Sequence, residues 1–185
     1  LGQDFLDTSK KVAKFGAITA LIGAFTSAVG EAVSVVKEFN DVTTEFKKVS
    51  DLSGNSLDSY TQKLGEIGTE VARTTSEMVA SSTEFVKAGY NEQQASQLAK
   101  VANLYMNVAD SELSSAESSA YLVSQMKAFN VTAEDSINII NQTNEVANRF
   151  AVSSTDISTA LTKSSSALAT YGNTMSESIA LTTAG

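Results

Sequence analysis

Two acidic groupings come nearest to a chemical site in this sequence. Glu134 and Asp135 are adjacent, and Asp110, Ser111 and Glu112 set three oxygen-bearing side chains in a row. Neighbours on a helix point about 100° apart, so Glu134 and Asp135 do not converge on one ion or one proton. The run at 110–112 lacks the Asp-x-Asn-x-Asp-Gly spacing and the following Glu of a calcium loop. The chain contains no His and no Cys, which removes Ser-His-Asp and Cys-His catalysis, the common zinc sites and disulfides. Its glycines form no phosphate-binding motif. The expectation is a non-enzyme with no catalytic residue, metal site or cofactor.

The surroundings of these residues are helical in pattern. There is no Pro in 185 residues, so the strongest helix breaker is missing throughout, and long alternating β-branched runs are missing too. The fold class read from this is all-α. Formal charge is −8 and the isoelectric point is near 4.5, which argues against a specific nucleic-acid surface. The acidic excess beyond residue 109 is read as a solvated surface. The sequence starts without Met and stops at Leu181-Thr-Thr-Ala-Gly185, and is read as a piece of a longer polypeptide.

Residues 1–50 read as one long apolar, self-associating helix. From Phe15 an apolar residue recurs every three, then four, positions: Phe15, Ile18, Ile22, Phe25, Val29, Ala32, Val36, Phe39 and Phe46, with Thr43 the single polar member. This spacing keeps one seam of a helix facing a partner, along a rod of roughly 48 Å. Gly16, Gly23 and Gly30 share the b position of the same heptad. Each costs about 1 kcal/mol against Ala, a cost that makes sense if another backbone approaches closely there. The expected assembly is a homo-oligomer, a trimer foremost. The run from Phe15 to Gly30 carries no charge. Burial in an assembly, latent membrane activity and a spanning helix all remain open for it; a signal peptide fits poorly because the helix continues past Val36.

Residues 51–185 read as a helical core domain of shorter, capped helices arranged as a hairpin array. Capping boxes, in which a side-chain oxygen accepts an N–H three residues on while an acid or amide reaches back, are expected at Thr74/Glu77, Asn91/Gln94, Ser114/Glu117, Thr132/Asp135, Ser153/Asp156 and Thr174/Glu177. Apolar stripes follow, among them Ala95-Leu98-Ala102-Tyr105-Ala109, Leu122-Met126-Phe129, Ile137-Ile140-Ala147 and Ile157-Leu161-Ser164-Leu168-Tyr171. Caps at Thr74, Ser114 and Ser153, and aromatic–small pairs at Gly89-Tyr90, Phe129-Asn130 and Tyr171-Gly172, return about every 40 residues, the period of a helical hairpin stacked on its neighbours. Tyr and Phe side chains are expected to fill the joints.

Several segments together resemble a known family. Phe39-Asn-Asp-Val-Thr-Thr-Glu-Phe-Lys-Lys-Val-Ser-Asp-Leu-Ser-Gly54 is similar to the opening of the shared core of long-tailed bacteriophage tape measure proteins. Thr75-Ser-Glu-Met-Val79, Phe85-Val-Lys-Ala-Gly-Tyr-Asn91, Phe129-Asn-Val-Thr-Ala-Glu-Asp135 and Thr183-Ala-Gly185 resemble later segments of that core. The likeness spans residues 39–185 and departs at Asn130, where Gly is frequent, and in its high Ser/Thr content. It implies a structural virion protein in the tail-tube lumen or tail tip, made in the host cytoplasm. Such a protein sets tail length during assembly, contacts tube and tip proteins, leaves at genome ejection and in some cases touches the host membrane. The alternative class is a membrane-inserting helical pore-type protein.

Overall fold

The computed structural model describes residues 28–109 and 112–184, with side-chain surroundings described from Val33 onward. Those residues form eight α-helices and no strand: α1 (Ala28–Lys47), α2 (Gly54–Glu70), α3 (Thr75–Lys87), α4 (Glu92–Val108), α5 (Ser115–Phe129), α6 (Ile137–Phe150), α7 (Ser154–Thr170) and α8 (Met175–Ala184).

Local chemistry sets the starts. Thr74, Asn91 and Ser114 accept from the backbone N–H three residues on, and Glu77, Gln94 and Glu117 reach back to the cap N–H. Thr174 and Glu177 do the same for α8. Ser153 accepts from Asp156 N–H at 3.2 Å. Thr132 departs from expectation: its hydroxyl accepts from Asp135 N–H at 3.2 Å, but the turn it closes spans residues 133–136, and α6 begins only at Ile137. An Asp is a carbon shorter than a Glu, and here it bonds the Thr132 hydroxyl.

The ends are equally uniform. At five helix ends the N–H beyond a left-handed residue returns to the carbonyl five positions back: Arg73 to Gly68, Tyr90 to Phe85, Val131 to Met126, Val152 to Ala147 and Asn173 to Leu168. The left-handed residues are Ala72, Gly89, Asn130, Ala151 and Gly172. This closure satisfies carbonyls that a helix end otherwise orphans. Asn130 therefore does what Gly does elsewhere, since Asn tolerates φ near the observed +53° better than most residues with a side chain.

The helices stack in two layers. α1, α3, α5 and α7 follow one another side by side, and α2, α4, α6 and α8 line the other layer; α3 packs on α4 and α7 on α8 within their hairpins, and α2 on α3, α4 on α5 and α6 on α7 between consecutive ones. Lys127 of α5 donates to the carbonyl of Ala88 at the end of α3, so these two helices run parallel. Two apolar cores result. Val36, Phe39, Phe46, Leu57, Tyr60, Leu64, Val71, Met78, Val79 and Ala99 form the first. The second runs from Phe85 through Tyr105, Tyr121, Leu122 and Ile139 to Leu161 and Ile179. Val86 touches both. The boundary read at residue 50 falls in the link between α1 and α2, and the first core crosses it.

Candidate interaction surface

Three of the residues expected to mediate association, Val36, Phe39 and Phe46, lie buried in the first core. The Phe46 ring stacks on Tyr60 at 5.2 Å. Val29, Gly30 and Ala32 lie in α1, while Phe15, Gly16, Ile18, Ile22, Gly23 and Phe25 lie outside the described residues, as do Asp110 and Ser111. Among the described residues no group of three or more His, Cys, Asp or Glu is placed to hold a metal ion, and Glu134 and Asp135 are both exposed.

What the sequence did not announce is a polar seam running through the cores. The Tyr60 hydroxyl bonds Ser82 at 2.7 Å and donates to the carbonyl of Glu92 at 2.8 Å. Asn103 donates to Ser81 at 2.9 Å, and Ser118 to the carbonyl of Ala102 at 2.7 Å. Tyr105 donates to the carbonyl of Ser154 at 2.7 Å, Tyr121 bonds Thr143, and Gln125 donates to Ser165 at 2.6 Å. Each bond joins two helices, so a slip along any helix axis breaks one. An unmade bond inside a core costs about 1–3 kcal/mol, and the seam thus fixes register more than it adds stability. Burial pushes the Tyr60 phenol up to about 12 and raises Tyr121 further in the same sense, keeping both neutral donors.

Small side chains make the close helix contacts possible. Ser81, Ser82, Ser96, Ser118, Ser119, Ser154 and Ser178 are fully buried. Several buried hydroxyls on Ser and Thr bond a carbonyl one turn back, as Thr61 does to Leu57, Thr83 to Val79 and Ser165 to Leu161. Such a hydroxyl needs no partner on the facing helix. Gly68 serves the same end: a Cβ there would sit 2.7 Å from the Arg73 carbonyl oxygen.

The exposed caps carry the electrostatics. Hydrogen bonds from the Ser114 hydroxyl and backbone hold Glu117 below the usual carboxylate range, and those of Thr174 do so for Glu177. Burial opposes this for Glu77, but bonds from Thr74 and Arg73 outweigh it and leave the carboxyl lowered. The Arg73–Glu77 contact is 2.8 Å.

At the far end of the array the apolar pattern runs out of cover. Phe150, Leu181 and Tyr171 are 61%, 53% and 87% exposed. The stripe read on α7 is buried at Ile157 and Leu161, half-buried at Ser164 and Leu168, and open at Tyr171.

A two-layer stack of capped helices, held in register by internal polar bonds and presenting its surfaces edge-on, is a scaffold. Residues 58–185 match the family model for phage-related minor tail proteins; this is more than half of the chain, and the chain belongs to that family. It is accordingly a structural protein associated with the virion tail. No solved structure matches the chain.

Proposed function

We propose that this chain is part of a tape measure protein that lies in the tail-tube lumen or at the tail tip, sets tail length during assembly and is released at genome ejection. The observation that carries the reading is the minor-tail family match across α2–α8, joined to an architecture in which helix packs on helix throughout. Helical rise is fixed at about 1.5 Å per residue, which lets a helical protein act as a ruler. An acidic inner protein, here of charge −8, also avoids trapping DNA that must pass after it.

Self-association into a homo-oligomer, a trimer foremost, rests on Phe15, Ile18, Ile22, Phe25, Val29 and Ala32, with Gly16, Gly23 and Gly30 allowing close approach; Val36, Phe39 and Phe46 already have partners in their own chain. Tail tube and tail tip proteins are the expected heterologous partners. In the parent phage, adding 70 helical residues to the full tape measure chain should lengthen tails by about 105 Å, read by electron microscopy. Tails of unchanged length would overturn the ruler reading.

The uncharged run from Phe15 to Gly30 supports a second reading, a membrane-inserting helical protein active during ejection. No helix among the described residues is long and apolar enough to cross a membrane, so this activity belongs to the segment before them. Leakage of anionic vesicles by a peptide of residues 10–36 supports it, and intact vesicles contradict it.

A further inference from the structure

The helices α3, α5 and α7 repeat one construction. They start on Thr74, Ser114 and Ser153, each of which accepts from the N–H three residues on. Each is followed or ended by an aromatic side chain, and the first two lie half-buried against the next hairpin. Tyr90 places its hydroxyl 3.9 Å from Met126 Sδ of α5 and its ring edge-on to Phe85 at 6.2 Å. Phe129 is half-buried and lines, with Ala169 and Gly172, the groove between the ends of α5 and α7. Tyr171, third in the series, has no hairpin packed over it among the described residues and is the most exposed large apolar side chain described.

The helix flanks show the same step. With the three caps aligned, Ser81, Tyr121 and Ala160 fall at one position, and Phe85, Gln125 and Ser164 at another. Ser81, Tyr121, Phe85 and Gln125 are all buried, and Gln125 reaches the next helix in the layer at Ser165. Ala160 is exposed and Ser164 only half-buried. Ser81 and Tyr121 bond Asn103 and Thr143 of their own hairpin partners, while Gln125 marks the position that meets the following hairpin; α7 carries the equivalent of that position, Ser164, only half-covered. Around it Ala160, Ala167 and Tyr171 are uncharged and mostly small, which suits close helix approach, with the exposed Asp156 and Lys163 at the margin.

We propose that the α7–α8 edge is a docking surface for a fourth helical hairpin of the same construction, its first helix parallel to α7 and covering Ser164, Leu168 and Tyr171. A second copy of this chain is a poorer occupant. The other end of the layer is α1, whose exposed residues include Lys37, Glu38, Asp41, Glu45 and Lys47, and stacking it on α7 would bury several charges against mostly small side chains.

The test extends the 185-residue chain at its C-terminus, once with a copy of residues 147–185 and once with a copy of residues 108–150. Both place a new cap one repeat length after Ser153. In at least one extended chain, amide exchange over residues 164–171 should slow by at least about tenfold, as expected when an open face becomes a core face. Tyr171→Glu should abolish that slowing while leaving exchange in α3 and α5 unchanged. Unaltered exchange over 164–171 in both extended chains overturns the proposal. So does a parent chain that sediments as a dimer and is returned to monomer by Tyr171→Glu, which would assign the edge to a second copy.

Discussion

Phe46 and Tyr171 are both aromatic residues at helix ends, and they meet opposite fates. Phe46 is fully buried, stacked on Tyr60 within a core of large apolar side chains from α1, α2 and α3. Tyr171 caps α7 just before the left-handed Gly172, with its ring in solvent. Between them the cover changes, while the means of holding helices together stays the same. The first end packs Phe39, Phe46, Leu64, Met78 and Val79, and the middle packs Tyr105, Tyr121, Leu122, Ile139 and Leu161. Both add cross-helix polar bonds, Tyr60–Ser82 in the first and Tyr121–Thr143 and Gln125–Ser165 beyond it. At α7 the outer face turns to Ala160, Ser164, Ala167 and Tyr171, none of them buried. A face of small side chains in fixed register is one onto which a further helix can be stacked.

The largest expected effect tests the contrast itself. Phe46→Ala should cost about 3–5 kcal/mol in urea unfolding, and Tyr171→Ala no more than about 0.5 kcal/mol; equal losses would erase the difference between the two ends. Gly68→Ala should cost about 1–3 kcal/mol through overpacking, because the new methyl meets the Arg73 carbonyl oxygen. A neutral result would show that the α2–α3 turn can give way. Tyr121→Phe should cost about 1 kcal/mol, since Thr143 keeps its bond to the Ile139 carbonyl but the cross-helix tie is gone. Hydrogen exchange should then rise in α5 and α6 and leave α1–α3 unchanged.

The smallest effect is set by pH. Glu77, Glu117 and Glu177 have folded-state values below the ordinary 4.5. Their contribution is complete above that value and is lost as pH falls through the lowered ones. The thermal midpoint should therefore drop below about pH 4.5, and Ser114→Ala should make that drop shallower. At the alkaline side the sign reverses. Tyr60 favours the folded state while neutral, so stability falls as pH rises from 10 towards its folded-state value of about 12.

The helix starts and stops were legible because their chemistry is local. Thr74/Glu77, Asn91/Gln94, Ser114/Glu117 and Thr174/Glu177 each place both halves of a capping bond within four residues. The stripe Ala95-Leu98-Ala102-Tyr105 is buried as its spacing implies. What covers a stripe is not local. The heptad through Val36, Phe39 and Phe46 announces a buried seam without saying whose surface buries it, and here α2 and α3 of the same chain supply the cover. The polar seam was hidden for another reason. A buried Ser81 and an exposed Ser166 are the same letter in a helix, and only the packed position of Asn103 distinguishes them. Thr132 misled because a cap that closes one turn has the same sequence form as a cap that starts a helix.

The most direct test is an electron-microscopy map of the parent tail. It should show this chain as stacked helices inside the tube or at its tip, with α1–α3 packed about Phe46. Density for the chain on the outer surface of the tube, or its absence from assembled tails throughout assembly, would contradict the account.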